Sequence, residues 1–157
     1  MSIKRRAAAA IAGGVVWLGY AGAAQVPGQP PERLVKATTL ACTFSIVATG
    51  TWTNGTPEAS IKPARLTLAF NAIDTQDGTA EAVGDSGKSH ITVRVSGAYL
   101  HLMQMEPYGA LYVTTVFDKE TKGGKLQAAH TRHEYTPVSL PGLTSRPEQY
   151  VGECEVR

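Results

Sequence analysis

The segment 130–134, His-Thr-Arg-His-Glu, holds the densest set of side chains that could do chemistry. Successive strand residues face opposite sides, so His130 and His133 would diverge and could not ligate one metal ion together. His130 and Arg132 share a face and are candidates for contact with a ligand or an anion. The alternative is structural hydrogen bonding, because a buried arginine needs carboxylate or carbonyl partners.

Catalytic motifs are absent from the sequence. It contains neither a GxSxG nucleophile turn nor an HExxH zinc motif, and these are two common arrangements of hydrolytic residues. We therefore expect no enzyme, no catalytic residue, no metal and no cofactor.

Two cysteines, Cys42 and Cys154, are the only ones in the chain. Each falls on the apolar side of an alternating pattern, so both sulfurs are expected to point toward the same core. An oxidising compartment would allow them only one intramolecular pairing. The sequence therefore predicts a disulfide between Cys42 and Cys154.

The N-terminus has the layout of a secretory signal peptide. Lys4, Arg5 and Arg6 precede an apolar, alanine-rich run over 7–24 that ends in small residues. We predict a signal peptide or a membrane anchor over 1–24, a flexible, proline-rich spacer over 25–38 and a β domain over 39–157. The expected location is periplasmic or secreted, or else anchored to the membrane by residues 7–24.

The net charge does not indicate nucleic acid as a partner. Three of the 15 Lys and Arg residues lie in the leader, which leaves 12 basic residues against 13 acidic ones in the rest of the chain. Affinity for phosphates needs clustered positive charge. Contact with a membrane is expected only if the N-terminal segment is retained.

About eight short alternating segments, separated by turn signals such as Asn54-Gly55, follow residue 39. No run beyond the leader shows helical spacing. This pattern predicts an all-β antiparallel meander closed as a small barrel, with a two-sheet sandwich as the alternative. In the barrel the first and last strands are neighbours, so the disulfide would join them. Bulky inward residues are expected to fill the interior: Ala48, Leu66, Phe70, Leu100 and Phe117.

One face of the strand predicted over 99–105 is unusually apolar. Tyr99, Met103 and Met105 are expected to face outward, joined across the hairpin by Tyr112 and Val116. An apolar patch on a small protein commonly marks a contact surface, although a covering loop or a two-sheet sandwich would also explain it. We therefore expect a non-enzymatic exported module that binds a protein partner. The alternatives are a carrier of a small ligand or lipid, which needs an empty interior, and a membrane-anchored accessory subunit.

Three blocks of the sequence carry a resemblance. They are Met-Glu-Pro-Tyr-Gly-Ala-Leu at 105–111 with Thr-Thr-Val at 114–116, Ala-His-Thr-Arg-His at 129–133, and Pro-Glu-Gln-Tyr-Val-Gly-Glu-Cys at 147–154. Together they resemble a group of small exported β-domain proteins of alphaproteobacteria without assigned activity. This resemblance implies the fold and little else.

A second likeness is to periplasmic C-type lysozyme inhibitors, which are small β-barrels with a bridge between their first and last strand regions. Those inhibitors present a Ser-Gly-x-x-Tyr loop to lysozyme. In the segment 96–99, Ser-Gly-Ala-Tyr, the tyrosine comes one residue earlier and would lie on the opposite face.

Overall fold

The computed structural model describes residues 30–84, 87–135 and 146–157. The predictions for residues 1–24 and for the start of the spacer lie outside these ranges. Within them, no helix has both the length and the apolar character needed to cross a membrane.

Eight antiparallel strands form one sheet, and each strand pairs with the next along the chain. The last strand also pairs with the first, so the sheet closes in a ring. The all-β meander is therefore confirmed, and its strands form one closed sheet rather than two. The strands are β1 (Leu40–Thr53), β2 (Thr56–Asp74), β3 (Thr79–Gly84), β4 (Gly87–Ser96), β5 (Tyr99–Met105), β6 (Leu111–Glu120), β7 (Leu126–His133) and β8 (Glu148–Val156).

The disulfide lies at the junction where the ring closes. Cys42 of β1 is the direct partner of Cys154 of β8, with 4.0 Å between their Cα atoms, and the predicted bond is confirmed. Two residues away, Gly152 faces a bulge in β1 beside Phe44. A Cβ atom at Gly152 would lie 2.0 Å from the carbonyl oxygen of Thr43. Only glycine therefore lets the two strands approach this closely.

A short helix, α1 (Glu32–Val35), lies across one end of the ring. Leu34 of α1 is fully buried in the core. Arg33 pairs with Asp118 and Glu120 of β6, while Thr75 donates a 3.0 Å hydrogen bond to the carbonyl of Val35. The described part of the segment predicted as a spacer thus contains a helix, which the sequence did not indicate because one apolar residue in a single helical turn produces no detectable period.

The half of the interior next to α1 is filled by apolar side chains. Its fully buried members include Leu34, Leu40, Cys42, Val93, Leu100, Val116 and Cys154. These side chains form the apolar core of the ring at this end.

The two faces of β6 are the reverse of those predicted. Leu100 pairs with Val116 and Leu102 pairs with Thr114, and directly opposed strand residues share a face. Val116 and Thr114 are buried inside the ring. Phe117 lies opposite the outward-facing Tyr99, so the predictions that Phe117 points inward and that Val116 points outward are wrong.

Candidate ligand cavity

The end of the ring opposite α1 contains a cavity of about 280 Å³ that is partly open to solvent. Its position follows from the strand directions: the cavity is lined by the beginning of β6 and the end of β7, whereas α1 contacts the end of β6. Apolar side chains form one wall: Leu68, Phe70, Ala82, Val83, Ile91 and Leu102. Polar side chains form the other: Gln104, Tyr112, Thr114, His130, Arg132 and Glu134.

His130 is a buried residue of the polar wall. Its Nδ1 atom lies 2.9 Å from the hydroxyl of Thr114, and its Nε2 atom accepts a 3.4 Å hydrogen bond from Nε of Arg132. Burial, with a smaller contribution from the charge of Arg132, lowers the pKa of His130 to about 4. The ring is therefore neutral at pH 7, and the bond to Nε2 assigns its proton to Nδ1, which donates to Thr114.

Arg132 lies between two aromatic rings at the polar wall. Its guanidinium carbon is 5.3 Å from the ring centre of Tyr150 and 5.9 Å from that of Tyr112, within the range of a cation–π contact. Among the residues that the structure describes, Arg132 forms no ion pair with a carboxylate. The guanidinium is thus oriented by rings and a neutral imidazole.

Glu134 is the acidic group of the cavity and is only 9% exposed. Its carboxylate accepts a 3.0 Å hydrogen bond from the hydroxyl of Tyr112, whose oxygen lies 3.1 Å from that of Tyr108. Burial, together with the hydrogen bonds to Tyr108 and Glu134, raises the pKa of Tyr112 above its ordinary value. Tyr112 therefore stays protonated and keeps donating to Glu134 across the physiological pH range.

Tyr150 of β8, beside Arg132, is oriented by a residue of its own strand. Its hydroxyl donates a 2.5 Å hydrogen bond to Glu148. Burial, followed by this hydrogen bond, raises the pKa of Tyr150 to about 12. The two rings that flank Arg132 are thus each fixed by a carboxylate, which limits how far the guanidinium can move.

The predicted site residues divide into two groups. His130 and Arg132 do share the inward face with Leu126 and Ala128, and both line the cavity. Tyr112, predicted to face outward, instead lines the cavity beside them. Its inward direction follows from its pairing with Gln104, which lies on the same inner face.

Tyr99, Met103 and Met105 lie on the outer face of β5, as predicted. Met105 is 76% exposed and Tyr99 is 45% exposed. Their neighbours across the hairpin are not Tyr112 and Val116 but the outward residues of β6: Leu111, Val113 and Phe117. The outer apolar face therefore exists with a different membership, and it is separated from the cavity by the thickness of the sheet.

Sequence reasoning missed the apolar outer face of the β1–β2 hairpin. Pairing of β1 with β8 ends at Thr49, so the hairpin continues beyond the ring as a two-stranded arm. Trp52 and Ile61, on one face of this arm, are 54% and 77% exposed. The signal was present in the alternation of Trp52 with Thr51 and Thr53, but a pattern alone does not show that a strand leaves the core.

The low pKa of His130 makes stability depend on pH. In the unfolded chain a histidine binds a proton near pH 6.5, whereas folded His130 binds one only near pH 4. The contribution of His130 to the free energy of unfolding is therefore complete above pH 6.5 and is lost as pH falls toward 4. We expect a loss on the order of 3 kcal/mol in the free energy of unfolding from this group.

Urea denaturation at pH 7 and pH 4.5 measures that loss. The wild type should lose more stability than His130→Gln over this interval, whereas the exposed, outward His133→Gln should behave as the wild type does. Equal pH slopes for the wild type and His130→Gln would contradict the assignment.

No family model, curated protein or solved structure matches the chain. Within the described ranges, no three His, Cys, Asp or Glu side chains are grouped so that they could hold a metal ion.

Proposed function

We propose that the protein is an exported, non-enzymatic module that binds a small organic molecule inside a small eight-stranded barrel. The observation that carries this proposal is the cavity of about 280 Å³, with an apolar wall facing a polar one. Ligand sites are typically concave and mostly apolar, with a few polar groups that orient the ligand. Of the residues expected to fill the interior, Phe117 and Ala48 point outward.

The size and position of the cavity limit the ligand. Its volume of about 280 Å³ lies just below the range of about 300–1,000 Å³ for ligand pockets, which favours a compact molecule over a long lipid chain. The disulfide fits a protein that works in an oxidising compartment such as the periplasm.

A neutral probe tests the proposal without assuming any charge on the ligand. We expect 3-phenylpropan-1-ol to bind the wild type in a saturation-transfer NMR experiment. Ala82→Leu should abolish the signal, because the added atoms would occupy the cavity that Ala82 lines. The matched control is Ala129→Leu on the outer face of β7, opposite the exposed Val151. Retained binding in Ala82→Leu, or equal loss in both variants, would contradict the proposal.

A second candidate function is contact with a protein partner through the outer face of β5 and β6. The exposure of Met105 and Tyr99 favours it, since apolar patches commonly mark contact surfaces. In affinity capture from the native compartment, Met103→Glu should lose a partner that Thr67→Glu retains, because Thr67 is an exposed residue of β2, which pairs with β1 and β3 on another side of the ring. Equal recovery by the two variants would remove this candidate.

A further inference from the structure

We infer that the ligand is a small zwitterion with an apolar substituent, whose carboxylate binds Arg132 and whose ammonium group binds Glu134. This inference rests on the proposed function, since it concerns the same cavity. It comes from two opposite charges that line one small cavity without pairing with each other.

Arg132 has the geometry of a carboxylate site. Its Nε atom donates a hydrogen bond to His130, and its guanidinium carbon lies 5.9 Å and 5.3 Å from the ring centres of Tyr112 and Tyr150. No protein carboxylate of the described residues pairs with its terminal nitrogens. A guanidinium matches a carboxylate with two parallel hydrogen bonds, and one held in place loses less freedom on binding.

Glu134 has the corresponding features of an ammonium site. Tyr112 is its one side-chain hydrogen-bond donor among the described residues. The two oxygens of a carboxyl group can accept more than this one hydrogen bond, and Glu134 lines the cavity. Burying a charge is costly unless it is paired and hydrogen-bonded, and an incoming ammonium group would supply that pairing.

The rest of the cavity fits the remainder of such a molecule. His130 is neutral at pH 7, so Arg132 and Glu134 are the basic and the acidic side chain of the polar wall. Glu148, directly opposite Arg132 in β8, accepts the hydrogen bond of Tyr150. Facing them, Leu68, Phe70, Ile91 and Leu102 form an apolar surface. The arrangement therefore suits an apolar amino acid or a molecule of the same chemistry, with its charged groups on one side and its hydrocarbon on the other.

Four probes that share a phenyl group on a short chain test the inference by isothermal titration calorimetry. They are L-phenylalanine, the anion 3-phenylpropanoate, the cation 2-phenylethylamine and the neutral 3-phenylpropan-1-ol. We expect L-phenylalanine to bind at least about tenfold more tightly than each of the others, because charge-assisted hydrogen bonds are the stronger class.

Two variants assign the two charges. Arg132→Gln should weaken L-phenylalanine and 3-phenylpropanoate by about tenfold and leave 2-phenylethylamine unchanged. Glu134→Gln should weaken L-phenylalanine and 2-phenylethylamine and leave 3-phenylpropanoate unchanged. The wild-type series is decisive by itself should either variant fail to fold.

The outcomes separate the two proposals. Binding of the neutral or singly charged probes as tightly as L-phenylalanine, with sensitivity to Ala82→Leu, overturns the zwitterion and leaves the ligand cavity standing. If none of the four probes shows binding that Ala82→Leu abolishes, both the zwitterion and the ligand cavity are overturned. Tight binding of L-phenylalanine that neither Arg132→Gln nor Glu134→Gln weakens overturns the assignment of its charged groups.

Discussion

The double variant Cys42→Ala with Cys154→Ala is expected to lower the free energy of unfolding by about 4–5 kcal/mol. The two cysteines are 112 residues apart, so the bond closes a long loop. In the chain-entropy account, the stabilisation comes mainly from restricting the unfolded chain, and it grows with loop length. Loss of the bond therefore acts mostly on the unfolded state.

The folded ring should survive this change under native conditions. Cys42 and Cys154 lie within the β1–β8 ladder, which runs from Leu40 to Thr49 of β1 with one bulge after Phe44, and its hydrogen bonds remain. Urea denaturation should show a lower midpoint and a steeper slope, because an unlinked unfolded chain exposes more surface. The control is reduced wild type, which should match the double variant. A double variant as stable as the oxidised wild type would contradict the role given to the bond.

Leu34→Ala is expected to cost about 2–5 kcal/mol, the usual range for truncating a fully buried leucine. Leu34 belongs to the buried core cluster together with Leu40 and Leu100. Shortening Leu34 would open a cavity beneath α1. The helix could not move inward to fill this cavity, because Arg33 holds α1 to Asp118 and Glu120. Thermal or urea denaturation measures the loss.

Val35→Ala is the matched control for Leu34→Ala. Val35 follows Leu34 in the same helix but is exposed, so its truncation should change stability by less than about 0.5 kcal/mol. Leu34→Ala should leave the affinity of cavity ligands unchanged, since α1 lies at the far end of the ring. Equal small effects of the two variants would show that α1 does not close the core.

The strand count and the ring closure could be predicted because both depend on local patterns. Alternation of apolar and polar residues indicates each strand, and turn residues indicate where each strand ends. Asn54 and Gly55, for example, both adopt positive φ, at 51° and 81°, as a two-residue hairpin turn requires. The disulfide then connects the first and last strands. Cys42 and Cys154 are thus two positions in which the sequence itself indicates a contact between distant residues.

The direction of the β6 side chains could not be predicted from its own sequence. Its two alternating sets are similar in character: Val113 and Phe117 on one side, Thr114 and Val116 on the other. What decides between them is pairing with Leu100 and Leu102 of β5. The apolar size of Phe117 is therefore misleading, and Thr114 reaches the interior because it has His130 as a partner.

The cavity was likewise beyond sequence reasoning. Its volume depends on how the inward side chains of β2 to β7 pack together, and no single strand contains that information. His130 and Arg132 could be placed on one face by their spacing. Gln104, Tyr112 and Tyr150 could not be associated with them, since these residues meet only when the sheet closes.

The most direct test of the central claim is to locate the bound ligand by methyl NMR during titration with L-phenylalanine and with 3-phenylpropan-1-ol. We predict that the methyl signals of Leu68, Ile91 and Leu102, inside the cavity, shift together and saturate. The outward methyl groups of Val113 and Ile61 should stay in place. Shifts at Val113 or Ile61 without shifts inside the cavity, or no saturable shift with either ligand, would contradict a binding site within the ring.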